Sequence, residues 1–349
     1  MAAFWRNDWR DKKREKNKMK ALMLTGTRQL ALTNAPQPQD KSGGDIVVRI
    51  AAVGICGSDM HAYLGHDERR PPPLILGHES AGETASGKKV IINPLVVCGS
   101  CDYCRAGRDN LCVNRQLMSM PPRPGSFAEY ASAPERNLIP LPEGLTMEQG
   151  ALAEPLACGH HTAALAVHHL QKDAADSRVM IIGGGAIGVA SALSLMARGM
   201  GEVRIVETNT ARRAALADLF PGRLITTLPP ETIPAPQDKM AEVIIDAVGN
   251  ESSRILASAY VAPGGAVVHI GLASGEGGFD IRRLTLQEIL LSGSYTYTAA
   301  EFAETVQWMA AGKLGALNWY QTRPLADGAK VFASLQKSEI PTPKTLLLP

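Results

Sequence analysis

No stretch of this sequence approaches the roughly 20 consecutive apolar residues of a membrane-spanning helix. Its first residues also lack the apolar core of an export signal. Both absences point to a protein that stays in the cytoplasm. An excess of one charge is missing too. Thirty-six Lys and Arg face 34 Asp and Glu, a net charge of +2, so the chain as a whole is not built to grip nucleic acid or an anionic membrane. Cysteine is scarce, six in 349 residues, and its placement says more than its number. Four crowd into CGSCDYCRAGRDNLC, residues 98–112, while Cys56 and Cys158 stand alone. A secreted disulfide frame would spread an even set along the chain; thiols clustered this way suit metal in a reducing compartment.

What is present is ordinary for a folded protein, with 45% hydrophobic and 20% charged residues. The length suits two domains better than one core. Residues 1–18 hold seven Lys or Arg and three Asp or Glu and read as a solvated extension. Trp5 and Trp9, one helical turn apart, leave a short docking helix open there. Residues 20–155 are rich in Gly, Pro and short runs such as DIVVRIAAVG and KKVIINPLVV, the texture of an irregular, mostly β domain. From residue 178 the texture changes. RVMII, a glycine turn, an apolar helix, EVRIVE and a second helix form a βαβ unit, and AEVIIDAVG and GGAVVHIGL add further buried strands. Together they predict an α/β parallel sheet flanked by helices. EFAETVQWMAAGKLG reads as an amphipathic helix and KTLLLP as a closing strand.

Cys98, Cys101, Cys104 and Cys112 follow CxxCxxC, seven residues, then C. Steps of three turn successive thiolates towards one centre, and the last closes a tetrahedron, the geometry zinc prefers. Paired disulfides and an iron–sulfur cluster are the competing readings. A closed four-thiolate shell has no position for a substrate, so this lobe is expected to be structural. A second set is quieter: Cys56 in VGICGSDMHAY, His78 and Glu79 in LILGHESAG, Glu154 in ALAEPLACG. One thiolate, one imidazole and two carboxylates suffice for zinc with one position left open, the catalytic kind.

GGGAIG fits GxGxxG through Gly183, Gly185 and Gly188, after a strand and opening a helix. That is the context a dinucleotide pyrophosphate requires. Ala186 and Ile187 lie between the glycines; Val248 and Gly271, at the ends of later strands, complete the expected cofactor contacts. Glu207 ends the next strand nineteen residues after Gly188. A carboxylate there binds ribose hydroxyls and repels a 2′-phosphate, which favours NAD over NADP. Arg212 and Arg213 count against that preference, since arginine can receive a 2′-phosphate.

GICGSDMH, LGHE, CxxCxxC with its trailing Cys, AEPL and GxGxxG occur in that order. From Met19 onwards the chain resembles the zinc-dependent medium-chain dehydrogenases/reductases, and among them the polyol branch of sorbitol, galactitol-phosphate and idonate dehydrogenases. The resemblance implies a GroES-like catalytic domain, residues 19–158 and 295–349, split around a Rossmann domain, residues 159–294. It implies two zinc ions per chain. Cys56, His78 and either Glu79 or Glu154 would hold the catalytic one, and the four-cysteine lobe the structural one. Ser58 and His61 would carry the released proton outwards. Tyr63, Phe127 and Thr296 are expected to line the substrate cleft. The substrate would be a polyol, its phosphate or a sugar acid, and the assembly a homodimer or homotetramer through the last strands of the coenzyme sheet. Three departures stand out. The stretch between GHE and the lobe is short, Ala62 replaces the usual aromatic after the relay histidine, and Thr296 stands where sorbitol-type enzymes place an arginine. The first is a trimmed surface hairpin with little effect on chemistry; the other two open the pocket to a polyol other than sorbitol. Arg123 is expected in solvent, with pairing to an anionic substrate the alternative, and Cys158 and His161 are read as packing residues. Other readings are a dehydrogenase of a simple alcohol, aldehyde or threonine-like substrate, and a non-catalytic NAD- and zinc-binding protein.

Overall fold

The computed structural model describes residues 18–40, 44–219, 225–228 and 240–349. The charged extension expected at the N-terminus therefore lies outside the described residues up to position 17, and Lys18 already opens the first strand, Lys18–Gly26.

Four buried β-branched and aliphatic runs alternate with helices between residues 178 and 293. Such runs, apolar on both faces, suit the middle of a parallel sheet covered on both sides. The sheet runs Ile225–Leu228, Glu202–Val206, Arg178–Ile182, Ala241–Asp246, Val261–His269 and Leu290–Gly293 in spatial order, and every pairing in it is parallel. The order reverses between Arg178–Ile182 and Ala241–Asp246, so a crevice opens beyond their C-terminal ends, where doubly wound sheets take their ligands.

The second sheet is mixed. Leu138–Pro140, Lys89–Ile92, Glu79–Thr84, Asp45–Gly54, Lys344–Leu348 and Tyr320–Pro324 follow one another, and Tyr130–Pro134 also pairs with Asp45–Gly54. The short stretch after GHE is a tight hairpin, with Ser80 opposite Ile92 and Glu83 opposite Lys89. Asp45–Gly54 pairs with Glu79–Thr84 through Gly54 and Glu79, and with the last strand through Gly54 and Leu346. The chain's end thus returns beside residues near its beginning. Among the described residues no strand is shared between this sheet and the parallel one.

The expected boundary after residue 158 falls inside one continuous helix, Ala153–His168. This helix packs on the dinucleotide helix Ala186–Ala197 so closely that a Cβ at Gly159 would lie 2.5 Å from that of Ala190. One core cluster accordingly runs from Ala81 and Ile91 through Leu152 and Leu156 to Ile181 and Ile205. The return from the parallel sheet enters helix Ala299–Ala310, where Thr298 and Glu301 form a capping box and satisfy two of the free N–H groups at its start.

Candidate active site

Cys56 caps the N-terminus of helix Gly57–Leu64. His78 follows the left-handed Gly77 (φ 91°), where a side chain would strike the Phe127 ring at 2.5 Å. Glu79 begins its strand opposite Gly54, and a methyl at Gly54 would sit 2.0 Å from a Glu79 carboxylate oxygen. Glycine is needed at both positions to let these side chains converge. One ligand atom each from Cys56, His78 and Glu79 lies within 4.8 Å of the others. His78 and Glu79 are buried and Cys56 is half-buried, and a thiol, imidazole and carboxylate at this spacing fit a metal ion, zinc above all.

The charges around the cluster are arranged for that purpose. Asp59, fully buried, accepts from the Cys56 N–H at 3.0 Å and the Gly77 N–H at 3.2 Å, and lies 3.5 Å from His78 Nδ1. Burial works to raise the Asp59 pKa, but His78, Arg70 and the Cys56 N–H outweigh it and hold it below the ordinary value. Burial likewise opposes a charged His78, yet Asp59 and Cys56 outweigh it and keep a proton on the ring well above its usual range. The site therefore favours positive charge, which a cation can supply instead of the proton. Lys344 donates to both Glu79 oxygens at 2.6 Å and to the Ile55 carbonyl at 2.9 Å. Its own burial works against its charge, and Glu79 and Cys56 more than offset that.

Glu154 stands in the first turn of helix Ala153–His168, outside the 4.8 Å group. Its Oε1 accepts from the Tyr297 hydroxyl at 3.0 Å, and the Cys158 sulfur is 3.8 Å away. Burial pushes Glu154 above the ordinary carboxylate range, and the Glu79 charge adds to it. Cys158 is buried beside Glu154. His161 pairs with Glu301 at 2.8 Å, away from it.

Ser58 and His61 lie three positions apart on helix Gly57–Leu64, on one face. Burial first, then the neighbouring His66, lowers the His61 pKa, with Asp67 pulling the other way. Tyr63 is a different matter. Two positions beyond His61 it points about 200° around the helix, into the core, where its ring centroid lies 5.3 Å from that of Phe332. Phe127 is fully buried and sits edge-on to the same Phe332 at 5.9 Å. Both were expected to line the cleft; both are core residues that brace the backbone behind it. Thr296 stands in the segment between Tyr295 and Tyr297 with φ 47°, and its Oγ1 is buried with no hydrogen-bond partner. A β-branched residue held in the left-handed region is strained, and such strain gathers at functional sites. Arg123 pairs with Asp45 at 2.8 Å and Gln116 at 2.7 Å, which leaves it neither free in solvent nor aimed at a substrate.

The four cysteines of the lobe come together on an excursion from the two-stranded ribbon Leu95–Val96 and Gln116–Leu117. Three Sγ–Sγ separations are 3.5, 3.5 and 3.9 Å, close to the about 3.8 Å edge of a tetrahedron with zinc–sulfur bonds near 2.3 Å. All six cysteines of the chain are free thiols, so the disulfide alternative does not hold. Backbone N–H groups of Ser100 and Cys101 lower the Cys98 thiol to about 5, whereas burial, then the Cys101 thiol, push Cys104 up to about 12. Four thiols this close cannot all ionise without a cation to hold them. The loop that they close also docks on the crossover: Asn110 donates to the Tyr295 carbonyl at 2.9 Å, and Asp109 accepts from the Ala299 N–H at 3.1 Å.

The dinucleotide elements meet at the crevice. Gly183 has φ 100°, and a Cβ on Gly188 would lie 1.9 Å from the Gly183 carbonyl. Gly185, Ala186 and Ile187 are partly exposed at the start of helix Ala186–Ala197, whose N-cap Gly185 offers no side chain to its free N–H groups. Those groups suit a pyrophosphate. Glu207 accepts from the Gly184 N–H at 2.9 Å and the Asn209 N–H at 2.7 Å. Val248 and Gly271 close the far side, in backbone contact so tight that a Cβ on Gly271 would lie 2.2 Å from the Val248 carbonyl carbon. Arg212 leans on Glu207 at 3.4 Å, and Arg213 binds the Glu207 and Thr208 carbonyls. Arg254 is a residue the sequence reading passed over. Buried, it donates to the carbonyls of Gly249, Ser274, Glu276 and Gly277 and so pins the loop after Gly271.

Lys344, Asp59 and Tyr297 were also not anticipated. Asp59 lies inside the GICGSDMH motif and was readable there. Lys344 and Tyr297 reach the site from 265 and 143 positions away, and no local pattern announces them.

Comparison with known proteins agrees with this geometry. Residues 42–143 match the alcohol dehydrogenase GroES-like domain, and residues 186–311 the zinc-binding dehydrogenase domain. Sorbitol dehydrogenase of Bacillus subtilis is 29% identical over 84% of this chain and 86% of its own. L-galactonate-5-dehydrogenase of Escherichia coli is 30% identical over 80% of this chain and 84% of its own. Among solved structures, acetophenone reductase from Geotrichum candidum in complex with NAD superposes with a TM-score of 0.83 at 26% identity, covering 95% of this chain and 98% of that one. A zinc-binding dehydrogenase from Sinorhizobium meliloti bound to NADP gives 0.81 at 26% identity, covering 95% and 99%.

Proposed function

The chain belongs to the zinc-dependent medium-chain dehydrogenases, and from that premise we propose that it oxidises a secondary alcohol of a polyol or sugar acid with NAD at the Cys56–His78–Glu79 cluster. The observation that carries this reading is the convergence of those three ligand atoms within 4.8 Å, two of them on buried residues, on the chain that also carries the glycine turn. The relatives sorbitol and L-galactonate-5-dehydrogenase point to a substrate with several hydroxyls.

When bound, zinc supplies the Lewis acidity that lets a hydroxyl lose its proton near neutral pH, and the dinucleotide supplies the hydride acceptor. The protein's residues do the rest. Cys56 and His78 would hold the ion with Glu79, and Glu154 would face it from helix Ala153–His168. Lys344 and the Tyr297 hydroxyl keep those two carboxylates oriented. Ser58 takes the substrate proton, and His61 passes it towards solvent. Thr296 borders the substrate. The N–H groups at Gly185–Gly188 take the pyrophosphate, and Glu207 takes the ribose hydroxyls, which selects NAD although Arg212 is near.

The proposal extends to organisation. Residues 19–158 and 295–349 act as the catalytic domain and 159–294 as the coenzyme domain. The edge strand Leu290–Gly293 and helix Ile281–Leu286 expose Leu286, Leu290 and Leu291, a surface that a second copy of the chain would cover. No helix among the described residues is long and apolar enough to cross a membrane, and free clustered thiols suit the cytoplasm.

A panel of polyols, their phosphates, sugar acids, threonine and short alcohols, offered with NAD and with NADP, tests the reading through reduced-cofactor absorbance. A polyol or sugar acid with NAD should exceed ethanol and threonine in kcat/KM by about tenfold or more. Preference for threonine or a short alcohol would overturn the substrate class.

A further inference from the structure

Arg70 lies in RRPPPLILG, a stretch whose prolines mark it as a loop, and loop arginines are usually in water. This one is not; its side chain is 1% exposed. The guanidinium reaches three places. Nε donates to the Ser119 carbonyl at 3.1 Å, and Nη1 donates to the Ser58 carbonyl at 3.0 Å and to Asp67 at 3.1 Å.

The two carbonyls belong to segments that adjoin two of the cluster's residues, Cys56 and His78. Ser58 is two residues after Cys56, in the turn that presents the thiol. Ser119 is fully buried and holds φ 68°, a left-handed conformation that a residue with a Cβ does not adopt unless its surroundings impose it. In that conformation its hydroxyl lies 3.3 Å from His78 Nδ1. With Asp59 on the same ring nitrogen, Nδ1 is occupied, and Nε2 is the atom left for the cluster. Arg70 therefore clasps the backbone behind one ligand and the backbone that fixes the rotation of another.

Resting on the reading of Cys56 and His78 as metal ligands, we propose that Arg70 is a positioning residue of the catalytic metal centre, acting on His78 through Ser119. The planar fork of arginine spans two carbonyls at once; a lysine ammonium at the end of a flexible stem does not. Groups that orient a ligating histidine in this way typically change metal affinity when they are removed.

The test is zinc retention by the full-length enzyme, followed by transfer to a chromophoric chelator, with the visible spectrum of the cobalt-substituted enzyme as a second readout. Wild type should hold two ions that leave in distinguishable phases. In Arg70→Met the Cys56–His78 ion should be held about tenfold or more weakly, while the four-cysteine ion is unchanged. Arg70→Lys should fail to rescue it. Ser119→Ala removes one oxygen and leaves Arg70 in place, so it keeps the test open should Arg70→Met not fold; it should weaken the same ion. In the double variant the losses should not multiply, because both act on one ring. Wild-type retention of both ions and an unchanged cobalt spectrum in Arg70→Met, or in Ser119→Ala, would overturn the inference alone. A wild-type enzyme that holds only the four-cysteine ion would overturn the metal-centre reading and this inference with it.

Discussion

At the scale of residues, the cluster is a set of charges that need one another. Cys56 and His78 were legible because each sits in a short motif, whereas the sequence left Glu79 and Glu154 as alternatives, and only the geometry groups Glu79 with the other two. The partners that make the cluster tenable in a buried setting were legible only in part. Asp59 lay in plain view, whereas Lys344 and Tyr297 arrive through pairing between distant strands and helices. Tyr63 and Phe127 show the opposite failure: an aromatic beside a motif looks like a pocket wall, and helical phase or burial decides otherwise. His61 is the residue on which pH bears most directly. A proton acceptor works when neutral, and burial with His66 lowers its pKa below the ordinary histidine value. The acid limb of alcohol oxidation assigned to this relay should thus lie below pH of about 6.5, because protonation that removes the acceptor occurs only there. His61→Gln should lower kcat by roughly 10²-fold and abolish that limb in a profile of kcat against pH, with zinc content unchanged. An identical profile in the variant would remove His61 from the relay.

At the scale of elements, periodicity carried most of the fold. The strands RVMII, EVRIV, AEVIID and AVVH stand where their apolar runs placed them, and KTLLL closes the mixed sheet. Less legible was the joint. Sequence texture changes near residue 178, but the helix Ala153–His168 runs through the expected boundary, because Glu154 must face the cluster while Gly159 packs on the dinucleotide helix. Among the described residues the edge strand Leu290–Gly293 pairs on one side only, and its two leucines are 46% and 42% exposed. An uncovered apolar edge invites self-association. If a second copy covers this edge, as proposed, Leu290→Lys together with Leu291→Lys should shift the protein to a monomer in sedimentation velocity. Variants that sediment as wild type would place the interface elsewhere.

At the scale of the whole molecule, two metal sites of different character are built into one chain. The four-cysteine lobe is the more conspicuous in sequence, and its thiols close on themselves. It also grips Tyr295 and Ala299, on either side of the residue that donates to Glu154. These contacts tie the lobe to residues 295–299. The quieter set brings together three ligand atoms, from Cys56, His78 and Glu79, within 4.8 Å of one another, one fewer than the lobe. The continuous core from Ala81 to Ile205 joins both sheets, so metal and dinucleotide sites are fixed by one packed interior. The central claim is that turnover belongs to the Cys56 site and not to the lobe. Its most direct test is Cys56→Ser, assayed for zinc per chain, NAD binding and turnover on one preparation. The expected result is one ion in place of two, NAD affinity retained and turnover reduced to background. Wild-type turnover with the Cys56 ion lost would contradict the account.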